Sequence, residues 1–244
     1  MVRVMRVLFT STRGTGHLQP LLPYARALSK RGHEVAVAGP DALSPAVRSA
    51  GLLHAPFDHP GDEVLAPIWA RLRGVTDGEA LALAVREIFA GVNARTALPK
   101  LQATIASFRP DLVVRDSVEY AALVAAERAG VKHARVAVHS VSFEEALPPL
   151  VEEPIEALRA QAALPPDAGA SLCAEPVFSS FPASLDVLPV GSLTRAPFRS
   201  RVVHNPASAA PAAWTPAADP RPLVYITFGT LVGTMSDARS IYRT

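Results

Sequence analysis

The chain has 244 residues, 49% hydrophobic and 19% charged, a balance that fills a substantial core and excludes a disordered polypeptide. Its 24 basic and 22 acidic residues leave a net charge of +2. That excess is too small, and too evenly spread, for a nucleic-acid or polyanion-binding protein. One cysteine, Cys173, excludes an intrachain disulfide or a cysteine-based zinc site and reads as a small buried hydrophobe.

The opening MVRVMRVLFTST carries two arginines, but its apolar run is one strand long and leads into a glycine turn rather than a cleavage site. No apolar stretch approaches the ~20 residues of a membrane span. The expectation is a cytoplasmic protein with no stable membrane insertion. Val4 to Thr10 reads as a strand buried on both faces. The loop Ser11 to Gly16 follows, and Leu18, Leu21, Leu22, Ala25 and Leu28 then recur at helical spacing up to the stop at Gly32. Glu34 to Ala38 is a second strand. Pro45 and Gly51 bracket a short helix, and Leu52 to Phe57 suits a third strand.

From Asp58 to about Asp77 the sequence has no clean period and carries Pro60, Gly61, Pro67 and Gly74. Long irregular connections of this kind are often functional. Gly78 to Phe108 is helical in pattern, with a break expected near Pro99. Asp111 to Asp116 is a strand, Val118 to Arg128 a helix closed by Gly130, and Lys132 to Val138 another strand. A second irregular stretch spans His139 to Pro149. A helix over Glu152 to Ala163 and a short strand near Val177 complete a domain over residues 1–204. Residues 205–222, with Pro206, Pro211, Pro216, Pro220 and Pro222, read as a Pro/Ala-rich linker. Leu223 to Phe228 is a clear strand, so residues 223–244 are expected to open a second domain that the chain does not complete.

Strands alternating with helices predict an α/β fold, a Rossmann-like parallel sheet with helices on both faces. Ligands bind such sheets at the carboxyl edge, where strand order reverses. The first strand normally lies beside the strand that starts the second half. That would bring His17, after the first strand, to Asp116, at the end of the later one. A neutral imidazole whose other nitrogen faces a carboxylate is general-base machinery, worth roughly 10²–10⁴ in rate. The same two residues also suit helix capping. The loop Thr12-Arg13-Gly14-Thr15-Gly16-His17 is not a dinucleotide fingerprint, because the third glycine position is Gln19. Nor does it have the Gly-Lys-Ser/Thr ending of a P-loop. Phe57, Trp69, Phe89 and Phe143 offer flat apolar faces for a ligand, with a core role the expectation for Phe89.

The segment VLFTSTRGTGHLQP, Val7 to Pro20, followed by Arg31-Gly32-His33-Glu34-Val35, resembles the start of the UDP-glycosyltransferase superfamily, in its bacterial branch that decorates antibiotics and other natural products. Pro110 to Asp116, Pro189-Val190-Gly191 and Tyr225 to Thr230 follow in that family's order. The resemblance implies the N-terminal half of a GT-B fold. It implies an inverting, metal-independent hexosyl transfer from a UDP- or TDP-linked sugar, with no cofactor, to a hydroxyl of a small natural-product acceptor. His17 would be the base and Asp116 its orienting partner. Gly16, Phe57, Trp69 and Phe143 would contact the acceptor, and Gly14, Thr15, Gly229 and Thr230 the donor. The family's main nucleotide-sugar signature lies beyond Thr244, so the 244 residues alone are expected to be inactive. The competing reading is a non-catalytic acceptor-binding module.

Overall fold

A computed structural model describes residues 3–180 and 195–197, all within one compact unit, Met1–Phe198. Its seven strands are β1 (Arg6–Thr10), β2 (Glu34–Gly39), β3 (Leu53–Pro56), β4 (Leu112–Asp116), β5 (Lys132–Val136), β6 (Val177–Ser179) and β7 (Arg195–Pro197). They form one sheet in the order β3-β2-β1-β4-β5-β6-β7, with every pairing parallel. Strand order therefore reverses between β1 and β4, which pair in register from Val7↔Leu112 to Thr10↔Arg115. The crevice expected from the alternation of elements lies at this switch point.

Period-two alternation divides the strand residues between two cores. Leu8, Ala36 and Val113 pack on one face, against α6 (Ala94–Phe108), α7 (Tyr120–Arg128) and α9 (Pro148–Gln161). Val7, Phe9, Val37, Val114 and Val136 pack on the other, against α2 (Leu22–Lys30) and α3 (Ser44–Ser49). α7 is buried from Tyr120 to Ala126. Its run of alanines keeps the helix thin enough to lie between the sheet and α6 and α9.

Both stretches expected to be irregular contain helices. α4 (Asp62–Leu72) includes Pro67. Pro67 is exposed while Leu65, Ile68 and Leu72 are buried, so the i, i+3, i+7 stripe outweighs one missing backbone donor. α8 (Val141–Ala146) starts at Ser140, whose hydroxyl accepts from the Phe143 amide at 3.3 Å. α9 begins earlier than its apolar pattern suggests, because Pro148 and Pro149 occupy the first turn, where a helix needs no amide hydrogen.

The expected break near Pro99 lies elsewhere. α6 continues through Pro99. The irregularity is a π-helix over Ala84–Asn93, following α5 (Asp77–Leu83), with non-helical backbone at Gly91 (φ −86°, ψ −105°). A Cβ on Gly91 would sit 3.0 Å from the Arg86 carbonyl oxygen, a contact tight enough that the backbone would have to give by a few tenths of an ångström. The linker over 205–222 and the strand over 223–228 lie outside the described residues.

Candidate active site

The chain leaves β1 through Ser11 and Thr12 and turns at Gly14, whose φ of +130° and ψ of 141° fall in a region open essentially to glycine alone. A Cβ there would sit 3.4 Å from the His17 ring. The Gly14 carbonyl accepts from the amides of His17 and Leu18, both at 3.2 Å. This closes the four-residue helix α1 (Thr15–Leu18) and anchors it through buried Leu18. His17 is thereby held over the end of β4. Thr15 and Gly16, on the same short helix, are exposed.

Asp116 is completely buried at that strand end. Its Oδ2 accepts from the Thr12 amide at 2.7 Å and the Thr12 hydroxyl at 3.2 Å, and its Oδ1 accepts from the Val118 amide at 2.8 Å. His17 Nδ1 lies 3.6 Å from Oδ1, slightly beyond ordinary hydrogen-bond range. Burial opposes charge on both groups. For Asp116, the facing imidazole and the backbone donors offset it and hold the carboxyl below its usual range. For His17, the Asp116 carboxylate outweighs burial and, with Glu144, lifts the imidazole above its ordinary value. With Nδ1 facing the carboxylate, Nε2 is the nitrogen left to work. An imidazole facing a buried carboxylate in this way can serve as a general base.

Phe89 packs on His17 with ring centroids 5.5 Å apart. The core role expected for it is only half the story, because the π-helix carries its half-buried ring into the site. Its neighbourhood continues into a cavity of about 10 Å³, lined by Thr12, Phe57, Asp58, Phe89, Asn93 and Glu119 among others. Phe57 is buried in the core and borders this cavity. Phe143 lies one strand further along, its ring 4.4 Å from that of His139. Trp69, on α4, is 37% exposed and does not line the cavity. Gly229 and Thr230 lie outside the described residues.

Sequence reasoning missed Glu119, Arg135, His139 and Glu144. The Glu119 side chain caps α7, accepting from the amides of Ala121 and Ala122, each at 3.1 Å. Burial, reinforced by the Asp116 charge, pushes its carboxyl up to about 7. Arg115 and Arg135 are register partners on β4 and β5, both buried. Glu175 neutralises Arg115, meeting its Nε at 3.1 Å through both oxygens, and accepts from His133 at 2.9 Å when that nitrogen carries the proton. The Arg115 charge holds Glu175 down at about 2 in spite of its burial. Charged residues inside strands are a weak sequence signal, since the pattern gives no hint that their partners are buried with them. Among the described residues no group of three or more His, Cys, Asp or Glu side chains is arranged to hold a metal ion. No helix among them is long and apolar enough to cross a membrane.

Residues 26–189 match the family described as erythromycin biosynthesis protein CIII-like, N-terminal domain, a span that takes in β2 to β6 and Asp116 and begins after β1 and His17. The chain belongs to that family. An L-demethylnoviosyl transferase of Streptomyces niveus is 33% identical over 231 residues, covering 93% of this chain and 57% of the relative. Two solved structures share its fold. The spinosyn forosaminyltransferase SpnP is 25% identical with a TM-score of 0.61, covering 82% of this chain and 51% of that one. The glycosyltransferase SsfS6 of Streptomyces sp. SF2575, complexed with thymidine diphosphate, is 20% identical with a TM-score of 0.58, covering 78% and 52%. The chain thus spans little more than half the length of these relatives. The likeness places the present sheet as the N-terminal Rossmann-like half of a GT-B fold.

Proposed function

We propose that this chain is the acceptor-binding part of a glycosyltransferase that moves a sugar from a nucleoside-diphosphate donor to a hydroxyl of a small natural-product acceptor. The observation that carries the reading is His17 over fully buried Asp116 at the β1/β4 switch point, in a chain of the CIII-like family. In the proposed step, His17 Nε2 takes the acceptor hydroxyl proton as the oxygen attacks the anomeric carbon. The bond from that carbon to the diphosphate breaks, and the nucleoside diphosphate leaves with the electron pair. Attack opposite the leaving group inverts the anomeric centre. Asp116 holds Nδ1–H and stabilises the imidazolium that forms.

A thymidine diphosphate sugar is the favoured donor, because SsfS6 is known as a thymidine diphosphate complex. Gly14, Thr15, Gly229 and Thr230 are the residues proposed to face it. Acceptor contacts are proposed for Gly16, Phe57 and Phe143, and for Trp69 as an outer contact on α4. No metal or cofactor enters the proposed step. The test is His17→Ala in the full-length enzyme. An interaction made only in the transition state lowers kcat and kcat/KM together. The expected loss is ~10²–10⁴-fold, or about 3–5 kcal/mol of barrier. Unchanged kcat with a raised acceptor KM would make His17 a binding residue and remove the mechanism.

A further inference from the structure

The carboxyl edge of the sheet carries a second imidazole built to the same plan as His17. His139 lies three residues beyond the end of β5, and β5 ends beside β4 with Asp116 and Val136 in register. His139 Nδ1 is 3.5 Å from Glu144 Oε1, as His17 Nδ1 is 3.6 Å from Asp116 Oδ1. Glu144, like Asp116, is completely buried. A phenyl ring backs each imidazole, Phe143 for His139 and Phe89 for His17. The difference is access, since the His139 side chain is 40% exposed and that of His17 is 20% exposed.

Glu144 is poorly supplied with partners for a buried carboxylate. Neither oxygen has a hydrogen bond among the described residues, and the nearest cation is Arg135, with Nε 4.0 Å away. A buried carboxylate without donors is costly, and such orphaned groups in native proteins call for an explanation. Neutralising Arg135 explains the charge of Glu144. It does not explain why an exposed imidazole faces the carboxylate and stacks on Phe143. A histidine whose Nδ1–H is directed at Glu144 presents Nε2 as a hydrogen-bond acceptor in a fixed direction.

We propose that His139 and Glu144 form a second hydroxyl-reading site, in which His139 Nε2 accepts a hydrogen bond from an acceptor hydroxyl other than the one glycosylated. Glu144 positions His139, and Phe143 holds the ring from behind. The substrate class is then an acceptor with at least two hydroxyls, and the pair sets which of them reaches His17. The proposal rests on the glycosyltransferase reading of the His17 site, and its test separates the two.

The test uses the full-length enzyme with a thymidine-diphosphate hexose and matched acceptors. Each pair is a dihydroxylated aromatic or macrolactone that the wild type glycosylates and the analogue with the second hydroxyl methylated. His139→Ala and His139→Phe are compared, the latter keeping a ring against Phe143 while removing both nitrogens. Both should raise KM for the dihydroxylated acceptor about tenfold, the upper worth of one neutral hydrogen bond, with kcat little changed. Both should erase the preference over the methylated analogue. A preference retained in His139→Phe overturns the proposal, and so does a loss confined to kcat, which would make His139 part of the chemical step. Failure of the His17 reading shows separately, as an unchanged kcat in His17→Ala.

Discussion

Replacing Asp116 by Asn tests the framework of the site without a substrate. The Asp116 carboxylate accepts from one backbone amide on each oxygen, Thr12 on Oδ2 and Val118 on Oδ1. An asparagine has one acceptor oxygen and one NH₂ group, so in either orientation a buried backbone N–H faces another donor. Leaving such a group unsatisfied costs roughly 1–3 kcal/mol. The contact to His17 is lost or weakened as well, so the total should be about 2–4 kcal/mol, or a fall of about 4–16 °C in Tm for a domain of this size. The sign with pH is fixed by the depressed carboxyl of Asp116. Its contribution is complete above the unfolded-state pKa and is lost as pH falls through the lower folded value. The difference between wild type and Asp116→Asn should therefore narrow in acid. The same substitution removes the largest influence raising His17 and leaves burial, which lowers it. A histidine titration followed by NMR should then show the His17 pKa dropping. The reasoning is refuted if urea unfolding places Asp116→Asn within about 0.5 kcal/mol of wild type, the range of an inconsequential surface change. An unmoved His17 pKa would refute it too.

Gly14→Ala should cost about 1–3 kcal/mol in thermal unfolding, the penalty of an L-residue in a glycine-only region, and should shift the His17 ring resonances because the new methyl meets that ring. Glu175→Gln should cost roughly 3–5 kcal/mol by leaving Arg115 buried without its counter-charge. In the wild type, that stabilisation should be complete above the ordinary carboxyl value of 4.5 and be lost progressively as pH falls from there to about 2, where the depressed Glu175 carboxyl takes up its proton. Glu119 has the opposite sign. A carboxyl raised from 4.5 to about 7 favours folding most at low pH, so its contribution should fade as pH rises through about 7. Glu119→Gln should flatten that part of the stability curve measured by urea unfolding.

What the sequence made legible was whatever depends on period and local chemistry. Strands β1 and β4 announce themselves as apolar runs, and the glycine turn places His17. The general rule for parallel sheets then brings His17 to within 3.6 Å of Asp116, a residue far along the chain. Single proline residues misled the reading, at Pro67 inside α4 and at Pro99 inside α6. A helix held by a buried stripe tolerates one missing donor, while the actual distortion sits at Gly91, where a carbonyl crowds the backbone. The second imidazole stayed hidden for a different reason. His139 and Glu144 straddle the start of α8, a spacing with no meaning until Ser140 caps that helix and turns Glu144 back beneath the strand end. Asp116 can be found by asking which strand adjoins β1. Glu144 can be found only by knowing how α8 begins, so the part of the site argued to select the acceptor is written in a helix cap, and the part argued to do the chemistry is written in strand order.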